Sequence, residues 1–436
     1  MNVLKKMKIN LFLAGLFFLL AGANVYGQSI LEQKLDSLSK LFDFSYKRLP
    51  VDGFFSEKYL LEIKQPLNHD VPSGKTFVQR VFLSHKGFDN PVVFVTEGYW
   101  AEYAANPEYV NELCPILNAN QIVVEHRFFP PSVPDTLDWR YLTVEQSAAD
   151  HHNVVEVLKN IYKGKWISTG ISKGGQACIF FRYLYPEDVD ISVPYVAPLN
   201  FSTFDTRINR FLDTVGSLRC RKSIRNYQTE LLSHREKYLP YFKKLAGKKG
   251  YTYGMGFEKA FDLMVFEYRF AFWQWGQTPC DSIARDTANP QKMIEHLDKV
   301  ADISWVSDQN AEKYRPFFYE AMKQIGMYGY DISPFKNITV FDKNPDFAFT
   351  LPKGAKEGFD PSLVNSVDCF IRHRAKNMMF IVGGSDPWGA TSVNLSYQNN
   401  LVKFVKPYGS HRTRINNLPS GMRQKAVDLL KKWLEE

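Results

Sequence analysis

Three short stretches of this sequence carry groups that could do chemistry together. The first is Gly170-Ile171-Ser172-Lys173-Gly174, which fits the pattern G-x-S-x-G. A serine hydroxyl becomes a useful nucleophile when a sharp turn between a strand and a helix presents it to a base. Small residues two before and two after the serine let such a turn close without clashes. A helix beginning at the serine favours negative charge developing beside it. The backbone N–H of Lys173 would then point at the position of an oxyanion. In a chain with 26 glycines the motif alone is weak. Its setting strengthens it, since Trp166 to Thr169 reads as a strand and about Lys173 to Tyr185 as a helix.

The second and third stretches supply an acid and a base in the chain order that this turn implies, serine first, then acid, then histidine. Met378 to Val382 reads as a buried strand, and Asp386 lies in the loop after it. Leu401 to Val405 reads as the last strand, and the loop after that carries His411. His411 is the predicted base that would take the Ser172 proton, with Asp386 holding its tautomer. The remaining histidines fit less well. His69 and His85 precede the serine in strand-linker context, and His151 and His152 lie on a helix upstream of it. His126 follows a strand directly, in Val124-Glu125-His126-Arg127, and reads as structural. His234 and His296 sit among charged residues, and His373 lies in a helix before the acid's strand.

Two further expectations concern neighbours of the serine. A second oxyanion donor should come from the backbone N–H of Gly98 or Tyr99, just after the apolar run Pro91 to Thr96. Glu97 in the same turn reads equally as a structural carboxylate or as a partner for a substrate amine. Lys173 invites a serine–lysine dyad, but adjacent residues at a sharp turn point their side chains apart, so its backbone N–H is the expected contribution.

The elements that must position these groups follow from hydrophobic periodicity. Tyr59 to Ile63 and Phe77 to Leu83 read as strands. Pro91 to Thr96, Gln121 to Glu125 and Ile191 to Val196 are continuous apolar runs of the kind buried on both faces. A helical stretch ending near Leu117 separates the first two of these runs. Thr143 to Tyr162 keeps helical spacing, with Thr143 and Gln146 forming a capping box. Strand and helix alternate up to about residue 200, pause, and resume near the C-terminus with a last helix over Pro419 to Leu434. Residues 203–345 lack buried-strand runs and are rich in helical spacing, charge and aromatics. The pattern predicts an α/β-hydrolase core with a mostly parallel sheet, residues 28–202 and 346–436, interrupted by a helical cap at 203–345.

Bulk properties narrow the function classes. Of 436 residues, 45% are hydrophobic and 23% charged, as in a globular protein. The net charge is +8, but lysine and arginine are scattered, which argues against nucleic-acid binding. Lys5, Lys6 and Lys8, the apolar run Leu11 to Leu20 and the small residues up to Gly27 form a signal-peptide pattern. The expectation is an exported protein, periplasmic or extracellular, with no stable membrane insertion once residues 1–27 are removed. Five cysteines leave at least one unpaired. Cys178 should be buried and reduced, and Cys220 and Cys280, both in the central region, are the expected pair. No C-x-x-C or H-E-x-x-H spacing exists, so neither a metal nor any other cofactor is expected.

These motifs together resemble a known group. Thr169-Gly170-Ile171-Ser172-Lys173-Gly174-Gly175 is similar to the nucleophile signature of the S37 family of serine peptidases, the PS-10 or secreted tripeptidyl-aminopeptidase group, itself related to the S28 prolyl carboxypeptidase and dipeptidyl peptidase II family. The likeness extends to Val95 through Tyr99, Val124 through Phe129, Tyr141 through Gln146, Phe272 through Gly276, Asp386-Pro387-Trp388 and Gly409-Ser410-His411. It covers roughly residues 45 to 435. A lysine after the serine favours S37, since S28 relatives carry tyrosine there. The resemblance implies an exopeptidase that takes peptides from the free N-terminus and releases tripeptides or dipeptides through an acyl-enzyme. It implies a helical cap over the site and an acidic group for the substrate amine, with Glu97 and Glu267 as candidates, while Trp273 and Trp275 read either as subsite walls or as packing inside the cap. The same serine, acid and histidine would also serve an esterase or lipase, and the scaffold could carry a non-catalytic peptide-binding protein.

Overall fold

The computed structural model describes residues 28–355, 358–395 and 400–436. The expected export segment, residues 1–27, lies outside them. Among the described residues, nine strands join one sheet. In chain order they are β1 (Phe44–Leu49), β2 (Glu57–Pro66), β3 (Thr76–His85), β4 (Val92–Thr96), β5 (Asn120–Val124), β6 (Trp166–Ile171), β7 (Ile191–Tyr195), β8 (Met378–Gly383) and β9 (Leu401–Lys406). Their spatial order is β1-β2-β3-β5-β4-β6-β7-β8-β9. Pairings are antiparallel from β1 to β5. From β5 through β4 to β9 they are parallel. From β4 the chain goes to β5 on one side and then crosses to β6 on the other. Such a switch point opens a crevice at the carboxyl ends of the flanking strands, where ligands bind in sheets of this kind.

The buried runs become central strands because helices cover both faces. The helices of the flanking layers are α1 (Ile30–Phe42), α2 (Leu113–Leu117), α3 (Val144–Leu158) and α4 (Lys173–Leu184). Every residue of β4 is buried. Side chains alternate between faces, so Val93 and Val95 pack in one cluster with Leu113 and Leu117 of α2. Val92 and Phe94 pack in the other, with Leu31 of α1, Val154 of α3 and Phe181 of α4. Neither α1 nor β1 was expected from the sequence. β1 is an edge strand in which only Phe44 is buried, so it lacks a buried apolar run.

Thr143 does cap α3, accepting from the Gln146 N–H at 3.2 Å. The other half of the expected capping box does not form. The Gln146 side chain instead accepts from the His69 N–H at 2.7 Å and donates to Asn68 at 3.1 Å. A loop N–H needing an acceptor outcompetes a helix end whose hydroxyl cap already serves it. Arg127, in the loop after β5, also holds α3. It is fully buried and grips Asp150 of α3 through two bonds of 2.7 Å.

Between β7 and α11 (Ser362–His373) no strand occurs among the described residues. The chain runs instead through α5 (Thr206–Thr214), α6 (Leu218–Ser233), α7 (Arg235–Lys249), α8 (Phe257–Trp275), α9 (Pro290–Val300) and α10 (Ala311–Glu320). The last helix, α12 (Ser420–Glu435), returns to the sheet and packs Leu430 and Trp433 in the same cluster as Val93. No helix among the described residues is long and apolar enough to cross a membrane.

Cys220 and Cys280 form a disulfide, with Cα atoms 5.4 Å apart, tying α6 to the chain after α8. Cys114 and Cys178 are buried thiols and Cys369 is an exposed one. Thiol titration should therefore find one fast-reacting group in the native oxidised protein, three after denaturation and five after denaturation with reduction. Five groups in the denatured, unreduced protein would show that the pair is open.

Candidate active site

Ser172 sits between the last residue of β6 and the first of α4, with φ 57° and ψ −119°. That conformation is costly for a residue with a Cβ and persists only where its surroundings impose it. The surroundings here are backbone. A Cβ on Gly170 would stand 2.2 Å from the Gly174 carbonyl oxygen and 2.7 Å from that of Thr96. A Cβ on Gly174 would also meet the Thr96 oxygen at 2.7 Å, and one on Gly175 would meet the Ala197 Cβ at 2.7 Å. The motif's glycines are thus required by the close approach of the turn to β4 and to the chain after β7. The Thr96 hydroxyl ties the same corner, donating to the carbonyls of Thr169 and Gly174. As the first residue of α4, Lys173 has no intrahelical acceptor for its N–H.

The loop after β4 lies directly on this turn. A Cβ on Gly98 would be 2.7 Å from the Gly174 nitrogen and from the Lys173 Cβ. The Gly98 N–H faces the Glu97 carboxylate at 3.3 Å. Tyr99 lines the same cavity as Ser172. Of the two candidate donors, the Gly98 N–H is turned to Glu97, and the Tyr99 N–H makes no hydrogen bond among the described residues. The loop is pinned further by Glu125, which accepts from the Ala101 N–H at 2.8 Å and binds Arg80.

Asp386 and His411 meet at the ends of β8 and β9. His411 Nδ1 lies 2.6 Å from Asp386 Oδ2, and Asp386 is fully buried. Its other oxygen accepts from the Trp388 N–H at 3.2 Å, which fixes the carboxylate plane. The two loops touch backbone to backbone, since the Ser385 N–H donates to the Gly409 carbonyl at 2.8 Å. A Cβ on Gly383 would stand 2.4 Å from the Ser410 oxygen. The His411 N–H donates to the Gln274 carbonyl at the end of α8, at 2.8 Å. The inserted helical segment therefore helps hold the histidine, a contact that no local sequence signal announces.

Ser172 and His411 line one cavity of about 880 Å³, between the carboxyl ends of the strands and the helical segment. Glu97, Glu267, Tyr99 and Trp275 line it too. Glu267 is buried on α8 and receives the hydroxyls of Tyr328 at 2.8 Å and Tyr330 at 2.6 Å. Burial raises its carboxyl to about 7, against the pull of those two donors. Burial likewise raises Glu97, against its hydrogen bonds to Tyr103 and to the Gly98 N–H. The ring of Trp275 stands edge-on to His411, 5.8 Å between centroids. Trp273 does not reach this cavity. It faces a separate groove with Arg225 and Arg269, and its ring packs over Gly216. Residues two apart on a helix point roughly 200° apart, so Trp273 and Trp275 could not both face one cavity. Tyr328 and Tyr330 were missed by the sequence reading, although their alternation around Gly329 is the kind of spacing that places two side chains together.

A serine at a strained strand–helix turn, a carboxylate-held imidazole and two carboxyls, Glu267 buried and Glu97 half-buried, line one cavity, an arrangement that can perform acyl transfer. Comparison of the sequence with known proteins points to serine peptidases. The sequence model of the PS-10 peptidase S37 family matches residues 43–433. A prolyl tri/tetrapeptidyl aminopeptidase of Streptomyces mobaraensis is 31% identical over 392 residues, spanning 88% of this chain and 81% of its own. The human lysosomal Pro-X carboxypeptidase is 28% identical over 157 residues, 32% of each chain. A solved proline iminopeptidase of Mycobacterium smegmatis covers 86% of this chain and 98% of its own, at 12% identity and a TM-score of 0.42.

The strained turn has a measurable consequence. Ser172→Gly should be more stable than Ser172→Ala by about 1 kcal/mol, because glycine occupies this conformation freely even after its own entropy cost. Denaturant unfolding of the two variants checks it, and equal midpoints would mean that the turn stores no strain.

Proposed function

The chain belongs to the PS-10 peptidase S37 family of serine peptidases, and on that premise we propose that it is an exopeptidase that removes short peptides, chiefly tripeptides, from free N-termini. Ser172 attacks the scissile carbonyl while His411 takes its proton, and Asp386 steadies the imidazolium. The N–H groups of Lys173 and Tyr99 hold the oxyanion. His411 then protonates the leaving amine, and water resolves the acyl-enzyme. Residues 203–345 act as a cap on a core made of 28–202 and 346–436, and the cap limits entry to chain ends. Residues 1–27 direct export to the periplasm or the medium.

The observation that carries this reading is the presence of Glu97 and Glu267 on the same cavity as Ser172 and His411. A substrate ammonium would find a carboxylate there to make a charge-assisted hydrogen bond. Trp275, beside His411, would form part of the wall against the peptide. An esterase pocket for neutral acyl chains has no use for two carboxyls on its wall. The cavity lies within the range of small-ligand sites, near its upper end, which suits a peptide of a few residues. The Streptomyces relative is named for proline, so proline before the scissile bond is the first residue to test.

Fluorogenic peptides of one to four residues, with free or blocked N-termini and with or without a terminal proline, test the reading. Free tripeptides should be cleaved and blocked ones spared, with Ser172→Ala lowering kcat by about 10⁴-fold or more. Preference for blocked peptides would sink the exopeptidase reading and leave the serine chemistry standing.

Glu267 gives a second test with a definite sign. Above about 7 its carboxyl is ionised and pairs with the substrate ammonium; below, it is neutral and the pair weakens. KM for free-amine peptides should therefore fall as pH rises through about 7. Glu267→Gln should flatten that limb and cost about 10- to 100-fold in kcat/KM on free peptides, the size of one charged hydrogen bond. Hydrolysis of p-nitrophenyl acetate, which carries no amine, should be unaffected, and an equal loss on both substrates would remove Glu267 from amine recognition.

A further inference from the structure

The side chain of Lys173 has no part in the mechanism so far, yet it sits one residue from the nucleophile and is buried. Burying an ammonium is costly unless it is paired and hydrogen-bonded, so the position calls for a task. Its Nζ donates to the Gly98 carbonyl oxygen at 2.6 Å and pairs with Glu320 Oε2 at 2.8 Å. The rings of Tyr99 and Phe129 lie 5.6 and 5.1 Å from it. Glu320 is the last residue of α10, is itself buried, and stands 3.4 Å from His126 Nε2. Burial alone would raise the Glu320 carboxyl, but the Coulombic pull of His126 and Lys173 overcomes it and holds the group at about 2. Three parts of the chain thus converge on one ammonium: the nucleophile turn, the loop after β4 and the inserted helical segment.

The geometry of a peptide bond says what this grip does. The Gly98 C=O and the Tyr99 N–H belong to one planar trans unit and point in opposite directions. A bond that draws the carbonyl to one side aims the N–H to the other. The Gly98 N–H already faces Glu97, so this neighbouring peptide is the part of the loop still to be set.

We propose that Lys173 is a positioning residue: with Glu320 as counter-charge, its side chain grips the Gly98 carbonyl, presets the Tyr99 N–H as the second oxyanion donor, and ties that donor to the helical segment over the cavity. Tyr314, Phe317 and Phe318 of the same helix, α10, line the cavity. Contacts that a substrate makes with those rings and the geometry of the oxyanion donor are therefore carried by one rigid element. The proposal rests on Ser172 as nucleophile and is independent of which peptide is cleaved.

The test uses p-nitrophenyl acetate, which needs no amine recognition, with the full-length wild type, Ser172→Ala, Lys173→Met, Glu320→Gln and the double variant Lys173→Met/Glu320→Leu. Lys173→Met should lose about 10²- to 10³-fold in kcat, the usual effect of one oxyanion donor, with KM changed less than about threefold. The double variant removes both charges, so it should recover the melting temperature that Lys173→Met loses while kcat stays low. Recovery of kcat together with stability would mean that the pair is only structural, and an unchanged kcat in Lys173→Met would overturn the proposal directly. If neither Lys173 variant folds, Glu320→Gln decides: unchanged circular dichroism with kcat reduced about tenfold supports the proposal, and wild-type kcat sinks it. A wild type that hydrolyses the ester through Ser172 but cleaves no peptide would end the exopeptidase reading alone. Equal ester rates for wild type and Ser172→Ala would end both.

Discussion

The contact on which the site depends is the approach of the turn at residues 170–175 to the carbonyl of Thr96. Backbone lies so close to backbone there that a single Cβ on Gly170 or Gly174 would collide. The closeness carries the strain that puts Ser172 in a conformation few side chains adopt. It also brings the loop after β4 onto the first turn of α4, where a Cβ on Gly98 would collide with Lys173 and Gly174. The sheet makes this possible. β4 and β6 are neighbours at the switch point, and their carboxyl ends rise together.

The other half of the site is held from farther away. Asp386 and His411 come from loops whose backbones cross at Gly383 and Gly409, and α8 of the inserted segment takes the His411 N–H. The segment supplies Glu267, Glu320 and one wall of the cavity as well. The sheet and its flanking helices thus set the fold, and the inserted segment adds side chains to the cavity. Two carboxyls, Glu97 and Glu267, stand on the cavity. Their value depends on burial, which raises both Glu97 and Glu267 and makes each responsive to an arriving cation.

The sequence by itself determined the features that rest on short-range rules. Continuous apolar runs marked β4, β5, β7 and β8, because a strand buried on both faces has no polar side to show. The glycines around Ser172 marked the turn, and the order of strand ends pointed to Asp386 and His411. The shared region of Cys220 and Cys280 suggested their pairing, and the close approach of α6 to the chain after α8 settles it. Three things were decided by the tertiary structure. The face of α8 that meets the cavity includes Trp275 and excludes Trp273, and only the helix's packing sets that rotation. The Gln146 side chain left its helix end for the loop at His69, because a distant N–H had no better acceptor. Lys173 turned its ammonium inward to Gly98 and Glu320, partners far from it in the chain. Periodicity and turn chemistry are written in a few neighbouring residues, whereas the partner of a buried charge is chosen by which elements the fold brings together.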